Sequence, residues 1–265
     1  MDAVPGRMYC HRAMISEMFS STTPLGRAIR LPLRIIPGST VVRILSGPNK
    51  GLRWTVGSAN HGCWIGWYER REVSLFLGQA APGTTVWDIG AHAGYFTLAS
   101  SRAVGPNGQV VAFEPLPRNF SWLTRNVGAN ALSNVTVVNA AVCDRHGGTA
   151  SFDHAHSTYS GRLADTGSTR VATVSIDGQI AAGFPPPALL KVDVEGAEGD
   201  VITGAANLLT LKNSRWMIAL HGQAAADAVY DGMVAHGYRL RDLSGNVLDR
   251  AGTRLAHSVW ALPPG

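Results

Sequence analysis

The chain has 265 residues, of which 45% are hydrophobic and 15% are charged, and its formal net charge is +5. This length and composition allow a full α/β core and exclude a disordered protein. No apolar run approaches the ~20 residues that span a bilayer, and residues 1–20 lack the apolar core of a signal peptide. The three cysteines are far apart and predict neither a disulfide framework nor a zinc site, so we expect a cytoplasmic protein.

Residues 1–40 are predicted to form a basic N-terminal extension. Within residues 1–55, eight arginines and lysines stand against only Asp2 and Glu17. Solvated surface is the favoured interpretation, and peripheral contact with membrane lipid is the alternative. No RNA- or DNA-binding motif accompanies the charge, so we expect no nucleic-acid partner.

Residues 41–80 predict a β-hairpin followed by a loop and a helix. The apolar runs 41–45 and 52–56 flank a turn that is rich in glycine. The segment 57–69 is rich in glycine and aromatic residues and is predicted to be a loop. It forms either a wall of the substrate pocket or a hydrophobic plug between the hairpin and the core. Its candidate substrate contacts are His61, Tyr68 and Glu69.

The segment 84–98 predicts a strand, a glycine turn and the start of a helix. Asp88 follows the strand, and Gly90 and Gly94 mark the turn. A dinucleotide fingerprint would have its second glycine at position 92, where this chain has His92. An acid ahead of the glycines would repel a pyrophosphate but tolerates a sulfonium ligand. The pattern therefore favours S-adenosylmethionine over NAD, with the turn amides available to the ligand's carboxylate.

The next two strands predict the rest of the cofactor site. Strand 109–113 ends in Glu114, which can accept both hydroxyls of a ribose or cap the following helix. Strand 134–139 precedes small residues that leave room for an adenine near Ala141. Asp144 is predicted either to accept from the adenine amine or to form a turn. Further on, a polar loop between strands 149–152 and 169–174 contains a candidate substrate contact, Tyr159.

Two later strands predict the catalytic groups. Strand 189–192 ends before Asp193, and a strand that starts at residue 215 ends in His221. Carboxyl ends of parallel strands share one edge of a sheet, so we expect both side chains beside the methyl donor, where either can act as a general base. A structural role for His221 is equally weighted. A divalent cation held by Asp193, Glu195 and His221 is the less favoured alternative.

Glu198 opens the helix that follows. A carboxylate at that position favours the positive end of the helix. We therefore expect Glu198 to be a capping residue.

Several ordered motifs resemble the FkbM family of S-adenosylmethionine-dependent methyltransferases. They are Asp88-Ile89-Gly90-Ala91-x-x-Gly94, Ala112-Phe113-Glu114-Pro115 and Lys191-x-Asp193-Val194-Glu195-Gly196-Ala197-Glu198. The resemblance covers roughly residues 41–245. It implies a doubly wound, Rossmann-like class I methyltransferase sheet of the α/β class, with strand order 3-2-1-4-5-7-6, here with an N-terminal β-hairpin extension and a cofactor-binding domain at 81–265.

The resemblance also implies roles for individual residues. Asp88, Gly90 and Gly94 would line the methionine side of the cofactor, and Glu114 would hold the ribose. His92 departs from the commoner asparagine of the family and adds a titratable group near the donor.

The expected activity is methyl transfer to a hydroxyl of a sugar, glycolipid or other natural product. The first alternative is methylation of nitrogen in a protein or nucleic acid. The absence of the Asn/Asp-Pro-Pro-Tyr/Phe motif counts against it. The second alternative is a non-catalytic nucleotide-binding or membrane-associated domain.

Overall fold

The computed structural model describes residues 35–153, 162–164 and 169–264. Most of the predicted basic extension and the candidate contact Tyr159 lie outside these ranges. Within them, no helix is both long and apolar enough to cross a membrane.

The described chain begins with the predicted hairpin and the segment after it. Strands β1 (Val41–Arg43) and β2 (Arg53–Thr55) pair antiparallel. The predicted loop after them contains a 3-10 turn and a short helix, α1 (His61–Ile65), before the predicted helix α2 (Arg70–Leu77).

Local hydrogen bonds explain why helix α1 forms where a loop was predicted. The side chain of Asn60 accepts the N–H of Gly62 at the start of the helix. Gly66 ends the helix in a left-handed conformation. We call residues 41–69 the cap.

Strands and helices then alternate, as expected for a doubly wound sheet. The first group is β3 (Thr85–Ile89), α3 (Tyr95–Val104), β4 (Gln109–Phe113), α4 (Pro117–Ala129) and β5 (Val135–Val138). The second group is β6 (Ala141–Val142), β7 (Gly148–Asp153), β8 (Arg162–Ala164), β9 (Thr169–Val174) and α5 (Ile176–Ala181). The third group is β10 (Leu189–Val192), α6 (Glu198–Thr203), α7 (Ala206–Leu211), β11 (Arg215–Ala219), α8 (Gln223–Ala235), β12 (Arg239–Arg241), α9 (Arg250–Leu255) and β13 (Ser258–Leu262).

The central sheet has seven strands in the order β12-β13-β11-β10-β3-β4-β5. Counted along the chain within this sheet, the order is 3-2-1-4-5-7-6, which confirms the expectation. Strand β13 runs antiparallel to both of its neighbours. Trp87, Leu190 and Trp216 on the middle strands are fully buried, because helices cover both faces. The carboxyl ends of β3, β4, β10 and β11 therefore meet at one edge.

Two predicted features differ in detail. The strands predicted at 149–152 and 169–174 are present, but they belong to a separate four-stranded sheet with the order β6-β9-β7-β8. The single helix predicted after Glu198 is divided into α6 and α7 near Gly204.

The cap is hydrogen bonded to the core through a buried asparagine on helix α4. Asn126 Oδ1 accepts the N–H of Thr55 at 2.9 Å. Its Nδ2 donates to Ser58 Oγ at 3.2 Å and to the carbonyl of Ala93 at 2.9 Å. One side chain thus connects the hairpin with the glycine turn.

Candidate active site

The glycine turn after β3 lies directly against the segment after β10. Gly90 has a φ of +78°, and a Cβ at this position would overlap the carbonyl oxygen of Asp193. Glycine is therefore needed here for the contact between two strand ends as well as for the turn. This contact brings the predicted cofactor turn beside the predicted catalytic aspartate.

The amides of this turn are already engaged within the protein. The N–H groups of Gly90 and Ala91 both donate to the carbonyl of Phe113. The N–H of His92 donates to Glu114 Oε2 at 2.8 Å, and His92 has a φ of 51°. The expectation that these three amides serve the ligand's carboxylate is therefore corrected, because each has an internal acceptor.

Asp88 lies beneath the turn, where it is 0% exposed. Its Oδ2 accepts the hydroxyl of Thr97 at 2.6 Å. Its Oδ1 lies 3.6 Å from the ammonium of Lys191. A cofactor would therefore interact with Asp88 through the groups that surround this carboxylate. The placement of Asp88 on the methionine side of the cofactor stays a prediction.

Lys191 is a buried cation that the sequence-based reasoning did not assign to the site. Its Nζ donates to the carbonyl of Gly90 at 2.7 Å and lies 3.3 Å from Asp193 Oδ2. Burial would lower the pKa of Lys191, but the carboxylates of Asp193 and Asp88 outweigh burial and raise it. Lys191 is thus an ammonium that fixes Asp88, Gly90 and Asp193 relative to one another.

Glu114 is buried at the end of β4, with 4% of its surface exposed. Its Oε2 accepts from His92, and its Oε1 accepts the N–H of Leu116 at 2.9 Å. Burial raises the pKa of Glu114 to about 7, despite hydrogen bonds from His92, Leu116 and the side chain of Asn119. A carboxylate offers about four acceptor positions, so about one remains for a ribose hydroxyl.

The two residues predicted near the adenine lie in and just after β6, which belongs to the separate four-stranded sheet. Ala141 is buried in β6 with Leu116 and Val171. Asp144 is exposed, and its carboxylate lies 3.5 Å from Arg145 Nε. Both adenine assignments stay predictions.

His221 follows β11 and meets three carboxylates. Its Nδ1 lies 2.7 Å from Glu198 Oε1, which is a hydrogen bond. Its Nε2 lies 3.6 Å from Asp193 Oδ1 and 3.7 Å from Glu195 Oε2. The hydrogen bond to Glu198 raises the pKa of His221 despite partial burial.

Glu198 is more than the capping residue that was predicted. It opens α6 and accepts the N–H of Gly196 at 3.1 Å, as a cap would. However, its side chain is 0% exposed and its carboxylate also binds His221. Together, Lys191 and Glu198 are the two site residues that the sequence-based reasoning missed or underused.

Asp193 is the point at which these groups converge. Burial alone would raise the pKa of Asp193, but the charges of Lys191 and His221 outweigh burial and lower it. One donor atom each from Asp193, Glu195 and His221 lies within 4.8 Å of the others, a spacing that suits a divalent cation. The ammonium of Lys191 already neutralises Asp193, so the cation remains the less favoured alternative.

A cavity of about 730 Å³ lies between the cap and this edge of the sheet. Its size is typical of small-molecule sites. Residues of both parts line it, including His61, Tyr68, Glu69, His92, Asp193 and Glu195. The three candidate contacts predicted in the cap thus share one cavity with a predicted catalytic residue.

The cap side of this cavity carries aromatic rings and a partly buried acid. The rings of Tyr68 and Tyr95 pack edge to face at 5.5 Å. Burial raises the pKa of Glu69, which hydrogen bonds to Tyr68. Trp64 Nε1 donates to His61 Nδ1 at 3.1 Å, which fixes the orientation of that imidazole.

The methyltransferase FkbM domain family matches residues 88–240 of the chain. The chain is 30% identical over 149 residues to the hexuronic acid methyltransferase AglP of Haloferax volcanii. This match covers 55% of the chain and 59% of the Haloferax protein.

Solved structures of methyltransferases are also similar to this chain. A methyltransferase FkbM from Methylobacillus flagellatus KT has a TM-score of 0.46 at 15% identity, over 77% of this chain and 55% of that one. An S-adenosylmethionine-dependent O-methyltransferase from Thermotoga maritima also has a TM-score of 0.46, at 13% identity, over 75% of this chain and 66% of that one.

Proposed function

Because the chain belongs to the FkbM methyltransferase family, we propose that it methylates a hydroxyl group of a sugar, glycolipid or other natural product. S-adenosylmethionine is its cofactor and supplies an electrophilic methyl group on a sulfonium. Residues 81–265 form the cofactor-binding domain in this proposal, and residues 41–80 cover the acceptor.

The placement of His221 carries the proposal. Its Nε2 lies 3.6 Å from Asp193 Oδ1, and Asp193 lines the cavity beside the glycine turn. A hydroxyl must lose its proton to become a methyl acceptor, and an imidazole at this place can take that proton. The opposing carboxylates of Asp193 and Glu195 stabilise the imidazolium that results.

The residues at the sheet edge fit the cofactor. Glu114 has acceptor capacity for the ribose, and Gly90 and Gly94 shape the turn beside it. Lys191 holds Asp88 and Asp193 in place beside the methionine end of the cofactor. Ala141 and Asp144 remain the proposed neighbours of the adenine.

The lining of the cavity favours a sugar or flat acceptor. Tyr68 of the cap and Tyr95 of α3 offer apolar faces to a sugar ring, while His61 and Glu69 offer polar atoms to its hydroxyls. The name of the Haloferax relative records a hexuronic acid as its substrate, which also favours a sugar.

The proposed reaction moves one proton and one methyl group. The hydroxyl proton of the acceptor passes to Nε2 of His221 and then to solvent. The acceptor oxygen bonds to the methyl carbon as the carbon–sulfur bond breaks, which leaves a neutral thioether. The side chains align the two reactants, and alignment supplies much of the rate in such a displacement.

The first experiment separates cofactor binding from turnover. Titration calorimetry with S-adenosylhomocysteine and with NAD should show binding of the former alone. A panel of glycosides and glycolipids is then incubated with donor labelled in its methyl group. His221→Ala should reduce turnover at least about 100-fold, while the affinity for S-adenosylhomocysteine stays within about twofold of that of wild type.

The control is His257→Ala, which removes an exposed histidine side chain that is not part of the cavity lining. It should leave turnover unchanged. Label on an amine of protein or nucleic acid would contradict hydroxyl methylation. Full turnover by His221→Ala would contradict the assigned base.

A further inference from the structure

Glu198 and His221 form a carboxylate–imidazole pair next to Asp193 and Glu195, which line the cavity. Glu198 stands at the start of α6 and is 0% exposed, whereas about a third of the His221 side chain is exposed. Their hydrogen bond of 2.7 Å is therefore shielded on the Glu198 side and open on the His221 side. The pair points from the interior toward the carboxylates of Asp193 and Glu195.

The hydrogen bond fixes which imidazole nitrogen carries the proton. An ionised carboxylate only accepts hydrogen bonds, so Nδ1 of His221 must be the donor to Glu198. Oε1 of Glu198 also accepts the N–H of Gly196, a group that can only donate. In neutral His221 the other nitrogen, Nε2, then carries a lone pair.

That lone pair is left open by its surroundings. Nε2 lies 3.6 Å from Asp193 Oδ1 and 3.7 Å from Glu195 Oε2, and both distances exceed a hydrogen bond. An acceptor hydroxyl in this space would meet a nitrogen able to take its proton.

A purely structural role explains the burial of Glu198 less well. A buried carboxylate costs several kcal/mol unless it is paired. Among the ion pairs of the described residues, the partner of Glu198 is His221. The interior thus retains an acid whose principal side-chain interaction is with one imidazole.

We propose that Glu198 is a positioning residue that holds the proton of His221 on Nδ1 and keeps Nε2 free to receive the proton of the acceptor. The use of this lone pair in catalysis rests on the proposed function, whereas the tautomer itself can be tested without an acceptor. Removing Glu198 should release the imidazole to its intrinsically preferred Nε2–H form.

The test is long-range ¹H–¹⁵N NMR of the full-length, ¹⁵N-labelled protein at a pH where its histidines are neutral. The signals of His221 are identified by their loss in His221→Gln. In wild type, Nδ1 should show the shift of a protonated nitrogen and Nε2 that of an unprotonated one. Glu198→Ala should exchange these two signatures, and Glu198→Gln should keep them, because the glutamine carbonyl still accepts from Nδ1.

His236 is an internal control in the same spectra. Its Nδ1 lies 2.8 Å from the carbonyl oxygen of Gly232, which can only accept, so its proton is also held on Nδ1. The signals of His236 should be the same in all variants. A wild-type His221 protonated on Nε2 would overturn the proposal, and this result does not depend on whether a Glu198 variant folds. An unchanged tautomer in a folded Glu198→Ala protein would also overturn it.

Turnover separates this inference from the proposed function. With an acceptor in hand, Glu198→Ala should lower kcat about 100-fold or more and leave the affinity for S-adenosylhomocysteine within about twofold. Glu198→Gln should recover part of that loss. If the NMR result holds but His221→Ala retains turnover, the tautomer assignment stands and the catalytic base is wrong.

Discussion

Lys191 carries an ammonium group into a strand that is buried on both faces. An unpaired charge there would cost several kcal/mol, and the protein offsets this cost with Asp88, Asp193 and the carbonyl of Gly90. Asp88 and Gly90 belong to the strand and turn proposed to hold the cofactor, and Asp193 is a proposed catalytic residue. The charge network therefore fixes these groups relative to one another without a ligand.

Glu114 should make cofactor affinity depend on pH. Its pKa is raised to about 7 by burial, and protonation would replace an acceptor position with a donor at the place of the ribose hydroxyl. A carboxyl of this pKa is about nine-tenths ionised at pH 8 and about one-tenth ionised at pH 6. Calorimetric titration with S-adenosylhomocysteine should thus show roughly tenfold weaker binding at pH 6.

Glu114→Gln is the matched control for this pH dependence. It should bind weakly at both pH values, because its amide does not titrate. This substitution should also change how the free energy of unfolding depends on pH. Because the pKa of Glu114 is raised in the folded state, its contribution to stability is complete below its pKa in the unfolded chain. That contribution is lost as the pH rises through about 7. Equal affinity of wild type at pH 6 and 8 would remove Glu114 from the ribose site.

The site residues that were predicted lie at the ends of strands, whereas the one that was missed lies inside a strand. Asp193 and His221 stand at strand ends, so counting along the sequence was enough to bring them to one edge. The ammonium of Lys191 stands inside an apolar run, where a lone charge signals a buried partner. The register supplies that partner, because Lys191 pairs with Asp88 across β10 and β3. Register between distant strands cannot be read from one sequence.

At the scale of elements, the ends of β3 and β10 are held at contact distance by one glycine. Gly90→Ala adds a Cβ that overlaps the backbone carbonyl of Asp193 and also strains a φ of +78°. We expect a loss of stability above the ~1 kcal/mol of a positive-φ alanine alone, together with weaker binding of S-adenosylhomocysteine. Urea unfolding and calorimetry measure the two effects.

Gly51→Ala separates strain from overlap. Gly51 has a φ of +86°, but nothing lies within 4 Å of a Cβ built there. Both variants therefore lose a similar amount of stability through backbone strain, and only in Gly90→Ala does the added Cβ also overlap a neighbouring atom. Equal destabilisation of the two would show that the contact with Asp193 can relax freely.

The central sheet could be predicted because its strands are apolar runs that alternate with helices, a pattern that permits few topologies. The separate sheet of β6 to β9 was harder to predict. Strands β7 and β9 were predicted, whereas β6 has only two residues and β8 lies in a segment predicted to be a loop. Strand pairing also depends on contacts between distant residues. Helix α1 was missed because five residues bounded by Asn60 and Gly66 give too short a periodic pattern.

At the scale of the whole molecule, the cap and the core share one cavity, so their relative position decides what the cavity admits. Asn126 is the buried link between them. It satisfies the N–H of Thr55 in the cap and donates to the carbonyl of Ala93 in the glycine turn. Both groups would lose a partner if this side chain were shortened.

Asn126→Ala should therefore loosen the cap. A buried donor left without a partner costs about 1–3 kcal/mol, so urea unfolding should report a loss in that range. Hydrogen exchange should accelerate in residues 53–58. The acceptor KM should rise more than the S-adenosylhomocysteine Kd, because the cap is proposed to contact the acceptor and the core to hold the cofactor.

Asn207→Ala is the matched control, since Asn207 is an exposed asparagine on α7, away from the cap. It should change neither the exchange of residues 53–58 nor either ligand's affinity. If Asn126→Ala unfolds more easily but exchanges normally in the cap, its hydrogen bonds stabilise α4 alone. The cap would then be held by its apolar contacts, and a residue other than Asn126 would have to position it over the acceptor.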